Sequence, residues 1–117
     1  MRRHTEAAVD ELRDVLGILR TLRRGFDKGN VNALPVYADC VLVAIAMHSD
    51  GTTMREIRED LHLGHSSVTR ACYALEREGL VQLSRDPADR RRTLVKLTQR
   101  GHGLIDDVLS AFRGRHR

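Results

Sequence analysis

Aromatic residues are scarce in this chain of 117 residues, which has no tryptophan and only two tyrosines and two phenylalanines. Folds built from stacked β-sheets depend on aromatic and β-branched side chains, so an interior of Leu, Val, Ile and Ala favours helices. The length corresponds to about one domain with a modest core. We therefore predict a single, mainly α-helical domain over residues 1–117.

Cysteines and long apolar runs are equally few. Cys40 and Cys72 cannot form a disulfide framework, and no CxxC pair is present. The longest apolar run, from Cys40 to Met47, is too short to cross a bilayer, and the charged N-terminus does not resemble a signal peptide. We expect a soluble protein of the reducing cytoplasm with no membrane partner.

Lysine is nearly missing as well, because Lys28 and Lys96 are the only lysines among 20 basic residues. The net charge is +4, and arginine supplies almost all of the positive charge. Arginine suits bidentate recognition of phosphate and guanine. A genome rich in G and C would also enrich arginine, so composition alone supports a nucleic-acid partner only weakly.

The two ends of the chain carry amphipathic helical patterns, over residues 5–24 and 98–114. The apolar stripe of the first helix is wide enough to face both its own core and a second subunit. A domain this small also gains stability from a partner. We expect a homodimer, although ordinary core packing would give the same pattern. The predicted dimer residues are Leu12, Leu16, Leu19, Leu22, Leu104, Ile105, Val108, Leu109 and Phe112.

The middle of the chain, residues 33–98, carries the pattern of a DNA-binding core. A helix apolar on nearly all sides is predicted from Leu34-Pro35 to about His48. A capping box at Thr53 and Glu56 then begins a short helix that we expect Gly64 to end.

A second short helix is predicted from His65 or Ser66 to Glu78, with Gly79 as its stop. Its apolar stripe, Val68, Ala71, Cys72 and Leu75, is expected to face inward. The opposite side is polar and slender enough to enter a major groove about 12 Å wide. The predicted DNA-contacting residues of this helix are His65, Ser66, Ser67, Thr69, Arg70 and Tyr73.

The periodicity then changes to that of a β-hairpin, with strands near 80–84 and 93–97. Two helices followed by such a hairpin form a winged helix-turn-helix, so the predicted fold is mainly α with a small β-hairpin wing. Arginines at a hairpin tip can enter a minor groove or contact phosphates. The predicted wing contacts are Arg85, Arg90, Arg91 and Arg92, beside Asp86 and Asp89. The plain alternative is a solvated charged loop.

The stretch from about Ala38 to Asp107 resembles the MarR family of winged-helix regulators. The most specific part is the Asp-x-x-Asp-Arg-Arg wing followed by Leu-Thr-x-x-Gly. The resemblance is carried by residues 54–57, 67–70, 75–81, 85–93 and 97–101. It implies a homodimer with interlocked terminal helices, recognition helices in successive major grooves, and a palindromic operator. It also implies that Asp89 orients Arg91 while wing arginines reach the minor groove.

Family members have a longer C-terminal helical region than this chain shows. The dimer is therefore expected to rest on residues 5–24 and 98–114, and the crevice in which relatives bind small phenolic ligands is expected to be smaller or lost. Whether a small-molecule effector exists stays open at this point.

Other chemistry has little support in the sequence. Cys40 and Cys72 are expected to be buried apolar residues rather than redox sensors. His62 and His65 are expected on different faces because Gly64 lies between them, so we predict no metal. No nucleophile elbow, phosphate-binding glycine loop or paired acid is present, so we predict no cofactor and no enzyme activity.

The resulting hypothesis is a sequence-specific regulator of transcription that binds double-stranded DNA, most simply as a repressor. One alternative is a winged-helix protein for replication, partition or chromosome architecture. Another is a winged-helix protein-interaction module that does not bind DNA.

Overall fold

The computed structural model describes residues 6–28, 34–48 and 50–114, and this part of the chain forms five helices and one antiparallel sheet of three strands. The prediction of a mainly helical protein with a small β-wing is confirmed. The elements are α1 Glu6–Lys28, α2 Ala38–Ala46, β1 Thr52–Thr53, α3 Met54–Leu61, α4 His65–Arg77, β2 Val81–Arg85, β3 Thr93–Leu97 and α5 Gln99–Gly114.

The sheet has the strand order β1-β3-β2, so the hairpin strand β3 is central. Val81 pairs with Leu97 and Leu83 with Val95, and these side chains turn towards the helices. Strand β1 pairs Thr52 with Val95 and was not predicted. Two residues are too few to show the alternation by which a strand is recognised in a sequence.

The core lies between α2, α3, α4 and the sheet. Val41, Leu42 and Ile45 of α2 are fully buried, as are Ile57 of α3 and Leu75 of α4. Each such side chain contributes roughly 1.5–3 kcal/mol when removed from water. Helix α2 is therefore the central helix, as predicted, and the helix-turn-helix is held rigidly on it.

Helix α2 is shorter than predicted, because it begins at Ala38 and ends at Ala46. The carbonyl of Pro35 accepts a hydrogen bond from the N–H of Ala38 at 3.0 Å, so the proline closes a turn before the helix. Cys40 and Met47 are exposed. The expectation that Cys40 is buried was wrong, because Cys40 lines an open groove between α1, α2 and the end of α3.

The turn between α3 and α4 also differs from the prediction. Helix α3 ends at Leu61, and His62 takes the left-handed conformation with φ of 54°. Gly64 has a φ of −72° and is the N-cap of α4 instead of the residue that ends α3. Histidine is among the non-glycine residues that adopt the left-handed region. The glycine at position 64 therefore suggested an end for α3 that His62 provides instead.

Helix α5 is fixed against the end of α4 by a close backbone approach. The hydroxyl of Thr98 accepts from the N–H of Gly101 at 3.1 Å and donates to the carbonyl of Gly79. A Cβ added at Gly101 would lie 2.1 Å from the carbonyl oxygen of Leu80. The predicted cap at Thr98 is confirmed, and glycine is required three residues later.

Helices α1 and α5 pack on each other and on the core. Leu22 and Val108 are buried within the protomer itself, so their assignment to a dimer surface needs correction. Val15 and Leu16 are about half exposed, at 53% and 47%. Leu19, Leu104, Ile105 and Leu109 are half-buried, and the side chains of Leu12 and Phe112 lie outside the described residues.

The helices were compared with the length and apolar content of a membrane-spanning helix. In the described ranges, none combines the length and the apolar content that a bilayer crossing demands.

Candidate nucleic-acid interface

Helix α4 presents the polar face that its sequence predicted. Val68, Ala71, Cys72 and Leu75 are buried. His65, Ser66, Arg70 and Tyr73 are exposed on the other side, and Ser67 is half-buried near the N-terminal tip. The helix therefore has a buried apolar stripe and a continuous polar surface.

Thr69 is the exception on this helix. It is half-buried, and its hydroxyl donates to the sulfur of Met54 at 3.9 Å. Met54 begins α3 and is itself buried. Thr69 is therefore turned partly towards α3, and its hydroxyl is less available to a ligand than the sequence pattern indicated.

The N-terminus of α4 opens onto the same surface. Its first intrahelical hydrogen bond joins the N–H of Val68 to the carbonyl of Gly64 at 3.2 Å. The geometry of a helix leaves the preceding N–H groups without acceptors inside the helix, and these groups favour an anion. A Cβ added at Gly64 would meet no atom within 4 Å, so the approach to this end of the helix is open.

The wing tip is an ordered turn. The N–H of Asp86 donates to the carbonyl of Arg92 at 3.1 Å, and the N–H of Arg92 donates to the carbonyl of Asp89 at 2.9 Å. The carboxylate of Asp86 accepts from the N–H of Ala88 at 2.9 Å. The carboxylate of Asp89 likewise accepts from the N–H of Arg91 at 3.1 Å, so both acids hold the backbone of the tip, which accounts for carboxylates within an arginine-rich hairpin.

The wing arginines divide into two groups. Arg85 donates from Nη1 to the carbonyl of Arg90 at 2.9 Å, so its guanidinium braces the hairpin. Asp89 accepts from both the N–H and Nε of Arg91. The side chain of Arg91 is nevertheless 93% exposed, and Arg90 and Arg92 are exposed too. All four predicted wing arginines are therefore exposed, and Arg85 in addition braces the hairpin.

A groove of about 450 Å³ joins the wing to the helix-turn-helix. We call it the α3–wing groove. Its lining residues are Thr53, Met54, Arg55, Arg58, His65, Asp89, Arg91, Arg92 and Thr93. Arg55 and Arg58 were not predicted, because the sequence pattern indicated no DNA-contacting residue on α3. Their three-residue spacing places them on the same side of α3, which was the available signal.

A second groove, of about 570 Å³, lies on the other side of α4. Arg70 and Tyr73 line it together with the segment Leu34–Tyr37 and with Arg77 near the end of the helix. The predicted residues Ser67, Arg70 and Tyr73 are therefore brought together, and the two grooves flank the exposed side of α4.

The two cysteines have different surroundings, and neither favours a thiolate. Burial raises the pKa of the Cys72 thiol to about 12. Cys40 is exposed, but desolvation by its neighbours and the adjacent Asp39 carboxylate raise its pKa as well. Within the described ranges, no three His, Cys, Asp or Glu side chains are grouped to hold a metal ion.

Known proteins with similar sequences are regulators. The sequence profile of the MarR family matches residues 40–92. YdgJ of Bacillus subtilis, named an uncharacterized HTH-type transcriptional regulator, is 32% identical over 65 residues, which are 56% of this chain and 40% of that protein. MhqR of the same organism, also named an HTH-type transcriptional regulator, is 27% identical over 67 residues, or 57% of this chain and 46% of its own length. The chain thus spans less than half of these relatives.

Solved structures extend the similarity to nearly the whole fold. A MepR variant from a multidrug-resistant Staphylococcus aureus isolate superposes with a TM-score of 0.77 at 19% identity, covering 98% of this chain and 81% of that one. MepR in a complex with DNA gives a TM-score of 0.71 at 22% identity, covering 84% and 77%. The profile match over the helix-turn-helix and wing, together with the shared fold, shows that this chain is similar to the regulators of the MarR family.

Proposed function

We propose that this protein is a homodimeric regulator of transcription in the cytoplasm, which binds a palindromic operator in double-stranded DNA and acts as a repressor by blocking the promoter. The observation that carries this proposal is the common surface of α4 and the wing. His65 of α4 and Arg91 and Arg92 of the wing line one groove, so a duplex can contact both elements at once.

The mechanism follows from the chemistry of this surface. Arg70 is exposed on the outer face of α4 and has the donor pattern that pairs bidentately with guanine in the major groove. Ser66 and Ser67 lie at the N-terminal end, where hydroxyl and backbone N–H groups suit phosphates. The exposed Arg90 and Arg91 would then reach the adjacent minor groove or its phosphates.

The relatives support the same function. YdgJ and MhqR are named as transcriptional regulators, and MepR and AbfR have been crystallised with DNA. Because this chain spans less than half of the first two and is about 20% identical to the latter two, its own DNA binding and regulatory role are inferences from the site.

The dimer part of the proposal rests on α1. Val15 and Leu16 expose apolar surface on this long helix, and a second copy would cover it. We expect Leu16→Glu to shift the protein from dimer to monomer in light scattering. Val36→Glu changes an equally apolar residue, 78% exposed, which lines the groove beside α4, and should leave the dimer intact. A monomeric wild-type protein would overturn the homodimer.

Selection of bound sequences from a random duplex pool tests the function directly. We expect a palindromic motif with half-sites about one helical turn, or roughly 34 Å, apart. A footprint of this motif at a promoter would support regulation of transcription, whereas even coverage of DNA would support an architectural role instead. If the protein retards no duplex at low salt, the DNA-binding proposal is wrong.

A further inference from the structure

The α3–wing groove is strongly positive, and part of its charge comes from arginines of α3, where no DNA contact was predicted. Four arginines line it, and Asp89 is the one carboxylate among its lining residues. Asp89 is engaged with Arg91 at 3.3 Å, and Arg55 pairs with Glu59 at 3.2 Å. In the described part of the chain, Arg58 and Arg92 form no ion pair. Their charges remain available to an anion.

Arg58 has an unusual partner. Its Nη1 donates to Nδ1 of His65 at 2.7 Å, across the turn that joins α3 to α4. A guanidinium always donates and never accepts, so Nδ1 of His65 must be the acceptor. The hydrogen of the neutral imidazole therefore resides on Nε2, which becomes a donor.

The arrangement has a consequence for ligands. His65 is exposed and begins α4, and both His65 and Arg58 line the groove, so the Nε2–H group and the guanidinium of Arg58 are donors of the same groove. An anion with several acceptor oxygens, such as a phosphodiester, matches this set.

We propose that the α3–wing groove binds one backbone phosphate of the duplex in each half-site, through the guanidinium of Arg58 and the Nε2–H of His65, with the charge of Arg92, which also lines the groove, in support. Arg58 has two parts in this site, because it supplies charge and fixes the tautomer of His65. The bound phosphate sets the register of α4 and the wing on the duplex and carries no base preference. This inference rests on the proposed DNA binding.

The test uses the full-length protein, the duplex selected by the wild type, and a scrambled duplex of equal length. Single phosphates are replaced by neutral methylphosphonates. We expect one replacement in each half-site to weaken wild-type binding about three- to tenfold. Arg58→Gln should weaken binding to both unmodified duplexes by a similar factor and make the salt slope shallower by about one per protomer. The same methylphosphonate should then no longer weaken binding.

Two control variants separate charge from folding. Arg58→Lys keeps the charge and is expected to keep the salt slope. Arg100→Gln removes an exposed arginine at the start of α5, beside Gly79 and outside the groove, and should change neither the affinity nor the slope. If Arg58→Lys loses as much as Arg58→Gln, the role of Arg58 is structural and the proposal is wrong.

The role of His65 is tested by variants that remove its Nε2–H donor or replace it with another donor at a similar distance. His65→Ala should weaken binding, whereas the side-chain amide of His65→Gln reaches about as far as Nε2 and should restore most of it. Equal losses in both variants would overturn the role of the Nε2–H group.

The outcomes distinguish this inference from the function on which it rests. If the wild type binds DNA and Arg70→Ala weakens that binding, but Arg58→Gln keeps both the slope and the methylphosphonate sensitivity, only the groove proposal falls. If the wild type binds no duplex, both proposals fall.

Discussion

The carboxylate of Asp89 accepts two hydrogen bonds from a single residue, from the backbone N–H of Arg91 at 3.1 Å and from its Nε at 3.3 Å. The backbone bond shapes the wing tip, and the side-chain bond sets the direction in which an otherwise exposed guanidinium leaves it. We therefore propose that Asp89 positions Arg91.

This relationship predicts that loss of the Asp89 carboxylate weakens DNA binding, which is the opposite of the purely electrostatic expectation. Removing a negative charge from a DNA-binding surface should tighten binding by electrostatics alone. We expect Asp89→Ala to weaken binding about three- to tenfold instead, because the tip and Arg91 lose their order. Fluorescence anisotropy with the selected duplex measures the change.

A double-mutant cycle assigns the cause of that loss. Asp89→Ala should have little further effect in an Arg91→Ala background, because the carboxylate acts through that arginine. Tighter binding by Asp89→Ala alone would contradict the positioning role.

Arg70 should determine base preference, because it is exposed at the centre of the outer face of α4. Arg70→Ala is expected to lose about 1–3 kcal/mol of binding free energy on duplexes that carry the preferred base at one position of each half-site. On duplexes with another base at that position, the loss should be small. Binding measured over a set of single-base operator variants reveals this. Arg91→Ala is the control, for which we expect a nearly uniform loss. Uniform weakening by Arg70→Ala would refute direct base contact.

Two glycines of α5 form a matched pair for stability. A Cβ at Gly101 would lie 2.1 Å from the carbonyl oxygen of Leu80, whereas one at Gly103 would meet nothing within 4 Å. We expect Gly101→Ala to destabilise the fold by about 1–3 kcal/mol, because backbone must move. Gly103→Ala should be neutral or stabilise by up to about 1 kcal/mol through helix propensity. Urea unfolding at fixed protein concentration compares them, and equal effects would show that α5 does not approach Leu80 this closely.

The cysteines should differ in reactivity at alkaline pH. Cys40 is exposed, so iodoacetamide should alkylate it, but more slowly than a free thiol at the same pH, because desolvation and the Asp39 carboxylate raise its pKa. Cys72 is buried and should react only in unfolded molecules. Mass spectrometry of the peptides measures both rates, and fast labelling of Cys72 in the folded protein would contradict its burial.

Cys72 also makes stability depend on pH. Its pKa is raised from 9.0 to about 12 in the folded protein, so the folded state keeps a proton that the unfolded chain releases. The stabilisation is fully present below pH 9 and is lost as the pH rises towards 12. Cys72→Ala should flatten this part of the pH profile of unfolding, and an unchanged profile would assign the decline to other groups.

Local patterns predicted much of this fold because their causes are local. The cap of α3 needs only Thr53 and Glu56, and the Glu56 N–H indeed donates to the Thr53 hydroxyl at 3.1 Å. The end of α4 needs a residue that accepts a positive φ, and Gly79 has a φ of 75°. The two hairpin strands were predicted to within one residue, since alternation and the turn sequence between them are both short-range.

Errors arose where a residue's environment depends on distant parts of the chain. The exposure of Cys40, the burial of Leu22 and Val108, and the pairing of β1 with β3 all depend on which element packs on which. Periodicity indicates that a helix has an apolar face, but it does not say whether that face meets its own protomer or another.

The order of residues by itself determined a winged helix-turn-helix with an arginine-bearing wing, because capping, periodicity and turn chemistry act over a few residues. Only the tertiary structure brought Arg58 against His65, turned Thr69 towards Met54 and joined α3 to the wing in one groove. Such contacts come from packing between elements, which sets distances and donor directions that no local pattern encodes.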